Sequence, residues 1–525
     1  MKKLLYTTAC LALLACIAPG CKKSFSDLNV NENKPTHVPA SLLLNGVLND
    51  LYEEPGGDFE KYSQYFLQNY DYYGNNRYDF GSGTNFYPTL KNVAKMEEEA
   101  LAGGAAAVNP YSALASFFKA YFFSKMTMQM GDIPMAEAVK GADNLKPAYD
   151  QQKDIFLQAF VWLETANTQL TQLIASNNIT LAGDIYYGNN LAKWQKLVNT
   201  YRLRLLIELS NKATDADLKL KQQFSDIVSN ATKYPIMESS SDNLLYTYVY
   251  PSNNYPQNPG SFGFDALREN TSATYVGMLT SFKDPRVFIT SEPAAAMVSG
   301  GTNPTSFAAF VGADPGEDLG DMYIKASSGQ YSLINRKHFY DTYTGEPSIQ
   351  VGFPEMCFNI AEAINRGWIA NGKLGDAEAY YHTGMFASFA SYNVPVKGAM
   401  AVYFLKPGAS LGTYNTYSVD VDLDNYYNQP VIKYAGNNGT GLTQILDQKY
   451  LALFRHSGLE SFYQNRRTGI PVFTTGPGTG NSGRIPLRFK YPSSELSANT
   501  DNYNAALKKQ FSGNDDINGK MWILQ

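Results

Sequence analysis

Between residues 353 and 364 the side chains Phe353, Met356, Cys357, Ile360, Ala361 and Ile364 recur at steps of three and four, which places them on one face of an α-helix. A face so apolar must be covered by other helices. Residues 151–175 repeat the pattern through Phe156, Ala159, Phe160, Leu163, Leu170, Leu173 and Ile174, and residues 190–210 through Leu191, Trp194, Leu197, Val198, Tyr201 and Leu205. Further helices are expected near 40–53, 58–69, 86–101, 111–129, 376–390 and 441–456. Several come as pairs joined by short turns, and Ala113, Ala115, Ala120, Ala361 and Ala363 let helices approach closely. The expected fold is mostly α, a scaffold of tetratricopeptide-like helix pairs, although no clean repeat of about 34 residues emerges.

Long loop-rich insertions with short strands interrupt this scaffold. From 230 to 350 the prolines Pro251, Pro256, Pro259, Pro285, Pro293, Pro304 and Pro315 recur among many Gly, Asn and Ser, and the same texture returns at 391–440 and 470–500. Long ordered loops on a helical frame carry recognition surfaces.

The amino end is an export signal. Lys2 and Lys3 precede the apolar run Leu4 to Ile17, followed by Ala18-Pro19-Gly20-Cys21. At about 14 residues the run falls short of the roughly 20 that span a bilayer. Residues 1–20 therefore read as a lipoprotein signal peptide, with Cys21 as the lipidated residue. Cys16, after Leu13-Leu14-Ala15, competes for that position, and secretory cleavage without a lipid is the plain alternative. Residues 21–39 are a polar tether, and 40–525 form a single α-helical domain.

Removing residues 1–20 takes away two lysines and leaves 41 basic against 48 acidic residues, a net charge of −7. Nucleic acid is an unsuitable partner for that balance. Cys10 and Cys16 lie within the signal peptide and Cys21 at its cleavage point, so Cys357 is the one thiol certain to remain. It lies on an apolar face and is expected in the core. The 38 Tyr, 29 Phe and 4 Trp supply flat rings, and tyrosine adds a hydroxyl, a combination suited to sugars and wet interfaces.

Six segments in order resemble the SusD/RagB-like family of outer-membrane nutrient-binding lipoproteins, in its divergent second branch. They are Leu28 to Pro35, Met130-Gly131-Asp132-Ile133-Pro134, Trp194 to Leu205, Ala361-Glu362-Ala363 with Arg366-Gly367-Trp368, Arg466-Arg467-Thr468-Gly469-Ile470-Pro471, and Ile485-Pro486-Leu487-Arg488-Phe489 with Tyr491-Pro492 and Glu495. The resemblance implies a non-enzymatic, lipid-anchored outer-membrane protein at the cell surface. It implies capture of oligosaccharides, or peptides in some members, for delivery to a SusC-like TonB-dependent transporter. Lys22 and Lys23 stand where surface-exposed members often carry acids, so a periplasmic face stays open.

The residues agree with a binder. The sequence has no His-Glu-x-x-His, Gly-x-Ser-x-Gly, Cys-x-x-Cys or Walker A motif, and His37, His338, His382 and His456 are the four histidines. No cofactor and no metal site are expected; the acidic run Gly312 to Asp321 reads as a solvated loop rather than a Ca²⁺ site. A glycoside hydrolase needs only two carboxylates and stays as the alternative from another class. Arg466 and Arg467 are expected to lock helices to glutamates, with Glu362 a candidate partner. The ligand surface is placed on Asp71, Tyr72, Tyr73, Asn75, Asn76, Arg77, Tyr78, Phe86 and Tyr87, with Tyr250 and Tyr255 in a second loop. Rings stack on pyranose faces while amides, carboxylate and guanidinium bond the hydroxyls.

Overall fold

The computed structural model describes residues 37–176, 181–455 and 457–525. Cys16, Cys21, the tether up to residue 36, the Leu28 to Pro35 motif and His456 lie outside them. Contacts divide the chain into two units, Met1–Pro39 and Ala40–Gln525.

Helices dominate the second unit. α1 (Ala40–Asn49), α2 (Tyr87–Ala102), α3 (Pro110–Met130), α4 (Gln152–Ser176), α5 (Leu191–Glu208) and α6 (Leu220–Ser229) pack in succession, each against the next. α3 is buried almost all round, from Phe117 and Phe118 through Tyr121, Phe122 and Met126, as befits a central helix. Its start is fixed by a reciprocal cap between Asn109 and Ser112, with Pro110 in the first turn. At its end Asp132 accepts from the backbone N–H of Gln152 at 2.8 Å and so caps the next helix.

Two short helices, α7 (Ala273–Phe282) and α8 (Leu319–Ser327), lie within the Pro-rich stretch, followed by α9 (Phe353–Asn365), α10 (Ala377–Ser391), α11 (Gly439–Ala452), α12 (Glu460–Thr468) and α13 (Thr500–Phe511). α9 is buried along nearly its whole length and touches α5, α10 and α11. Gly384 permits the α9–α10 approach, because a Cβ there would lie 3.1 Å from the Cys357 Cβ and from the Pro354 carbonyl. Cys357 is fully buried, and burial pushes its thiol up.

The helix expected over 58–69 ends at Tyr62. Gln64 turns left-handed at φ 54°, and β1 (Phe66–Gln68) departs as a strand. β2 (Leu244–Tyr246), β3 (Glu269–Thr271), β4 (Ser348–Val351), β5 (Lys397–Leu405) and β6 (Tyr414–Asp422) complete three antiparallel pairs: β1 with β3, β2 with β4, β5 with β6. The β5–β6 hairpin is longer than the short strands expected there, and Met400, Val402 and Phe404 alternate onto its buried face.

Buried charges pin the helices together. From α5, Arg204 forks onto Glu355 of α9, with Nε 2.7 Å from Oε1, and reaches Glu460 of α12 at 3.5 Å. From the last turn of α12, Arg467 forks onto Glu362 of α9, with Nη2 3.0 Å from Oε2, and approaches Glu208 of α5 at 3.7 Å. Arg366 holds Glu362 from the other side at 2.7 Å. The expected Arg467–Glu362 lock therefore exists. Arg466 does otherwise, donating to the carbonyls of Met128 and Leu487 at 2.8 and 3.0 Å.

Burial alone would raise the Glu362 carboxyl, but the Arg467 charge and hydrogen bonds, aided by Arg366, hold it down at about 2. Its folded value lies below the unfolded one, so its stabilisation is present above about pH 4.5 and lost as pH falls toward 2, on the order of 3 kcal/mol. Arg467→Met leaves Glu362 partly unpaired inside the protein and should cost about 3–5 kcal/mol in denaturant unfolding, while Arg467→Met with Glu362→Leu should recover much of the loss. The single variant should also lose much of the acid sensitivity between pH 4.5 and 2.

Candidate functional site

The β1–β3 pair brings two distant segments to one edge. Phe66, Leu67 and Gln68 face Thr271, Asn270 and Glu269, so the chain leaving β1 runs beside the chain entering β3. Asn69 extends the ladder, its N–H donating to the Arg268 carbonyl at 2.9 Å and its side chain to the Leu267 carbonyl at 3.2 Å. Tyr70 and Tyr73 are thereby set against Arg268 and Phe264, and Tyr72 meets Tyr70 edge-on at 6.5 Å.

These side chains form an open aromatic cluster around one guanidinium. The Arg268 Cζ lies 4.4 Å from the Tyr70 ring centre, 5.4 Å from Tyr73 and 4.1 Å from Phe264, and Nη1 donates to the Tyr73 hydroxyl at 2.7 Å. The Tyr73 and Phe264 rings are parallel within 5°, with centres 5.6 Å apart. Tyr323 of α8 meets Tyr70 edge-on at 5.9 Å. Tyr72 is 87% exposed, Phe264 57% and Tyr73 43%. Aromatic surface left in water at this density marks a place where something binds.

Beside the cluster lies a cavity of about 410 Å³, lined by Asn69, Tyr70, Arg268, Tyr323 and Tyr331 and closed in part by Glu292 and Arg336. Arg336 donates through Nε and its backbone N–H to Glu292 at 3.1 and 2.9 Å. Tyr331 donates to Glu317 at 2.6 Å. The acidic run is thus put to structural use: Asp318 caps α8, Asp314 accepts from Gly316 at 2.8 Å, and Glu317 pairs with Lys325.

The residues expected at the ligand surface separate into five groups. Tyr72 and Tyr73 belong to the cluster, and Asp71 is exposed in the same turn. Asn75 and Arg77 are exposed farther along, with Arg77 paired to Asp79 at 2.6 Å. Asn76, Tyr78 and Tyr255 are interior. The Asn76 amide bonds the backbone of Gln68 on both sides, at 2.9 and 2.7 Å. Tyr78 is 1% exposed and takes a hydrogen bond from Gln64 at 2.9 Å. Tyr255 is fully buried at 90° to Tyr248, with Gly345 against its ring. No surface ligand meets these three side chains in this conformation.

Phe86 and Tyr87 pack elsewhere, against Phe122 at 4.9 Å and Phe123 at 6.3 Å, and the Tyr87 hydroxyl donates to the Pro134 carbonyl at 2.7 Å. Tyr250 is 59% exposed and pairs with Tyr343 at 4.7 Å. Arg268, Tyr323, Glu292 and Arg336 escaped sequence reasoning. Phe264 was missed as well, because strand pairing across about 200 positions leaves no local trace.

Arg268 is the organising side chain, with three ring contacts and one hydrogen bond. Arg268→Ala should lower unfolding stability by about 1–2 kcal/mol in thermal or denaturant melts, while Arg336→Ala, which takes the guanidinium from the buried Glu292 and leaves it the backbone N–H, should cost more.

A family model described as "Starch-binding associating with outer membrane", the SusD-like second branch, matches residues 32–492. Among solved structures, a SusD homolog from Bacteroides fragilis is 31% identical with a TM-score of 0.80, over 93% of this chain and 100% of its own. An outer-membrane protein from Bacteroides vulgatus, described in terms of nutrient binding, is 30% identical with a TM-score of 0.78 over the same shares. A chitin-binding SusD homolog from Flavobacterium johnsoniae has the same fold at 20% identity and a TM-score of 0.69, over 93% of this chain and 98% of its own. No curated protein matches the chain.

Proposed function

This chain belongs to the SusD-like family of starch-binding, outer-membrane-associated proteins, and we propose that it captures oligosaccharides on the Arg268 cluster and delivers them to a SusC-like TonB-dependent transporter. The observation that carries the reading is an exposed array of Tyr72, Tyr73 and Phe264 beside a cavity bordered by Arg268. Flat rings cover the C–H faces of a pyranose, and Arg268 borders the cavity to meet its hydroxyls. Asp71, Asn75 and Arg77 stand in the same exposed segment as further polar contacts.

The protein acts by binding and not by turnover. Fast release suits delivery, since a captor that holds its ligand for long starves the channel below. Calorimetry against a polysaccharide panel tests the reading. Tyr72→Ala and Tyr73→Ala should each weaken binding about tenfold or more, with no release of reducing ends by the wild type. Unchanged binding in both variants removes the cluster from the site, reducing-end release makes the protein a hydrolase, and binding confined to peptides changes the cargo.

The lipid on Cys21 supplies the outer-membrane attachment. No helix among the described residues is long and apolar enough to cross a membrane. Acyl chains contribute about 0.8 kcal/mol per buried CH₂, so two or three hold the domain at the bilayer. Cys21→Ala should shift the protein from the membrane to the soluble fraction; retention in that variant and loss only with Cys16→Ala would move the anchor to Cys16.

A further inference from the structure

A second aromatic pair, with Tyr250 exposed and Tyr343 half-buried, lies close along the chain to the first, and the two share one short stretch of backbone. Tyr250 and Tyr343 meet at 4.7 Å with Tyr250 59% exposed. Their loops are fixed: Val249 and Asn253 exchange backbone hydrogen bonds at 2.8 and 2.7 Å, and the Tyr255 N–H donates to the Tyr343 carbonyl at 2.8 Å. Gly260 packs beside Tyr343, where a Cβ would lie 3.8 Å from Cε1 and 3.9 Å from the hydroxyl. Four residues later Phe264 stacks on Tyr73.

Four residues span at most about 14 Å of extended chain, and Phe262–Asp265 form a helical turn that shortens the path. Between the pairs Gly260 and Gly263 are exposed and carry no side chain, and nothing lies within 4 Å of a Cβ built on Gly263. The stretch joining the two pairs therefore has two positions with no side chain to obstruct a ligand. Beyond Tyr343 a groove of about 490 Å³, lined by Thr342, Lys337, His338 and Asp341, offers hydrogen-bonding groups.

We propose that Tyr250 and Tyr343 form a second saccharide subsite in line with the Arg268 cluster, so that the preferred ligand is an extended oligosaccharide lying across both. This deepens the glycan-binding reading and rests on it. A single pyranose is about as large as one tyrosine ring and fills one pair only. A chain long enough to reach the other pair gains a second contact at little further cost in translational freedom, so affinity rises with length and then levels off.

The test is calorimetry of the mature chain with malto-, chito- and xylo-oligosaccharide ladders running from dimer to octamer. In the wild type, affinity for the ladder that binds should climb at least tenfold with length before it levels. Tyr250→Ala with Tyr343→Ala should flatten that climb and leave the affinity for the shortest binding member unchanged, whereas Tyr73→Ala should weaken every length. Circular dichroism and melting of each variant keep misfolding apart from lost binding. A length dependence that survives the Tyr250/Tyr343 double variant, or an equal loss at all lengths, overturns the second subsite while leaving glycan binding in place. Silence of every ladder with the wild type overturns both.

Discussion

Three helices distant in sequence are held in register by buried charge. Arg204 of α5, Glu355 and Glu362 of α9, and Glu460 and Arg467 of α12 interlock where little water remains to replace a lost partner. Such pairs add little net stability over apolar packing, because desolvating each ion costs several kcal/mol. Their effect is on geometry: a one-residue slip of any of these helices strands a charge, whereas apolar faces alone tolerate small slides. Lys449 of α11 joins the same region through Asn359 of α9 at 2.8 Å. The remaining architecture hangs on α9, which touches α5, α10 and α11.

From that rigid frame the recognition surface is built by minor elements. A three-residue strand pair, β1 with β3, does what no helix contact does and sets Tyr70 and Tyr73 against Phe264 and Arg268. The guanidinium then fixes ring orientation through three cation–π contacts, so the rings reach solvent already ordered. Preorganised rings lose little freedom when a ligand arrives, which supports useful affinity from a shallow, quickly released contact.

Much of the scaffold was legible in the sequence because helical periodicity is local. The stripes at 151–175, 190–210 and 353–364 became α4, α5 and α9, and the Arg467–Glu362 lock followed from paired arginines ending one helix and a glutamate on another, largely apolar one. Where the reading fell short, the deciding contact was distant or one-sided. The segment 58–69 looked helical until Gln64 turned left-handed toward a strand partner about 200 residues away. In the run from Asn69 to Phe80, alternating rings and amides were visible, but which side faced solvent was not. Asn76 and Tyr78 turned inward to complete backbone and core contacts, and Tyr72 and Tyr73 turned outward. Arg268 stood out little in the sequence, since two of its three rings, Tyr70 and Tyr73, come from a segment about 200 residues away.

The most direct measurement is a crystal structure of the protein with a bound oligosaccharide. An intact sugar chain should lie with a pyranose face against Tyr73 or Phe264 and hydroxyls within hydrogen-bond distance of Arg268. A ligand seated away from these side chains, or found cleaved, would contradict that expectation.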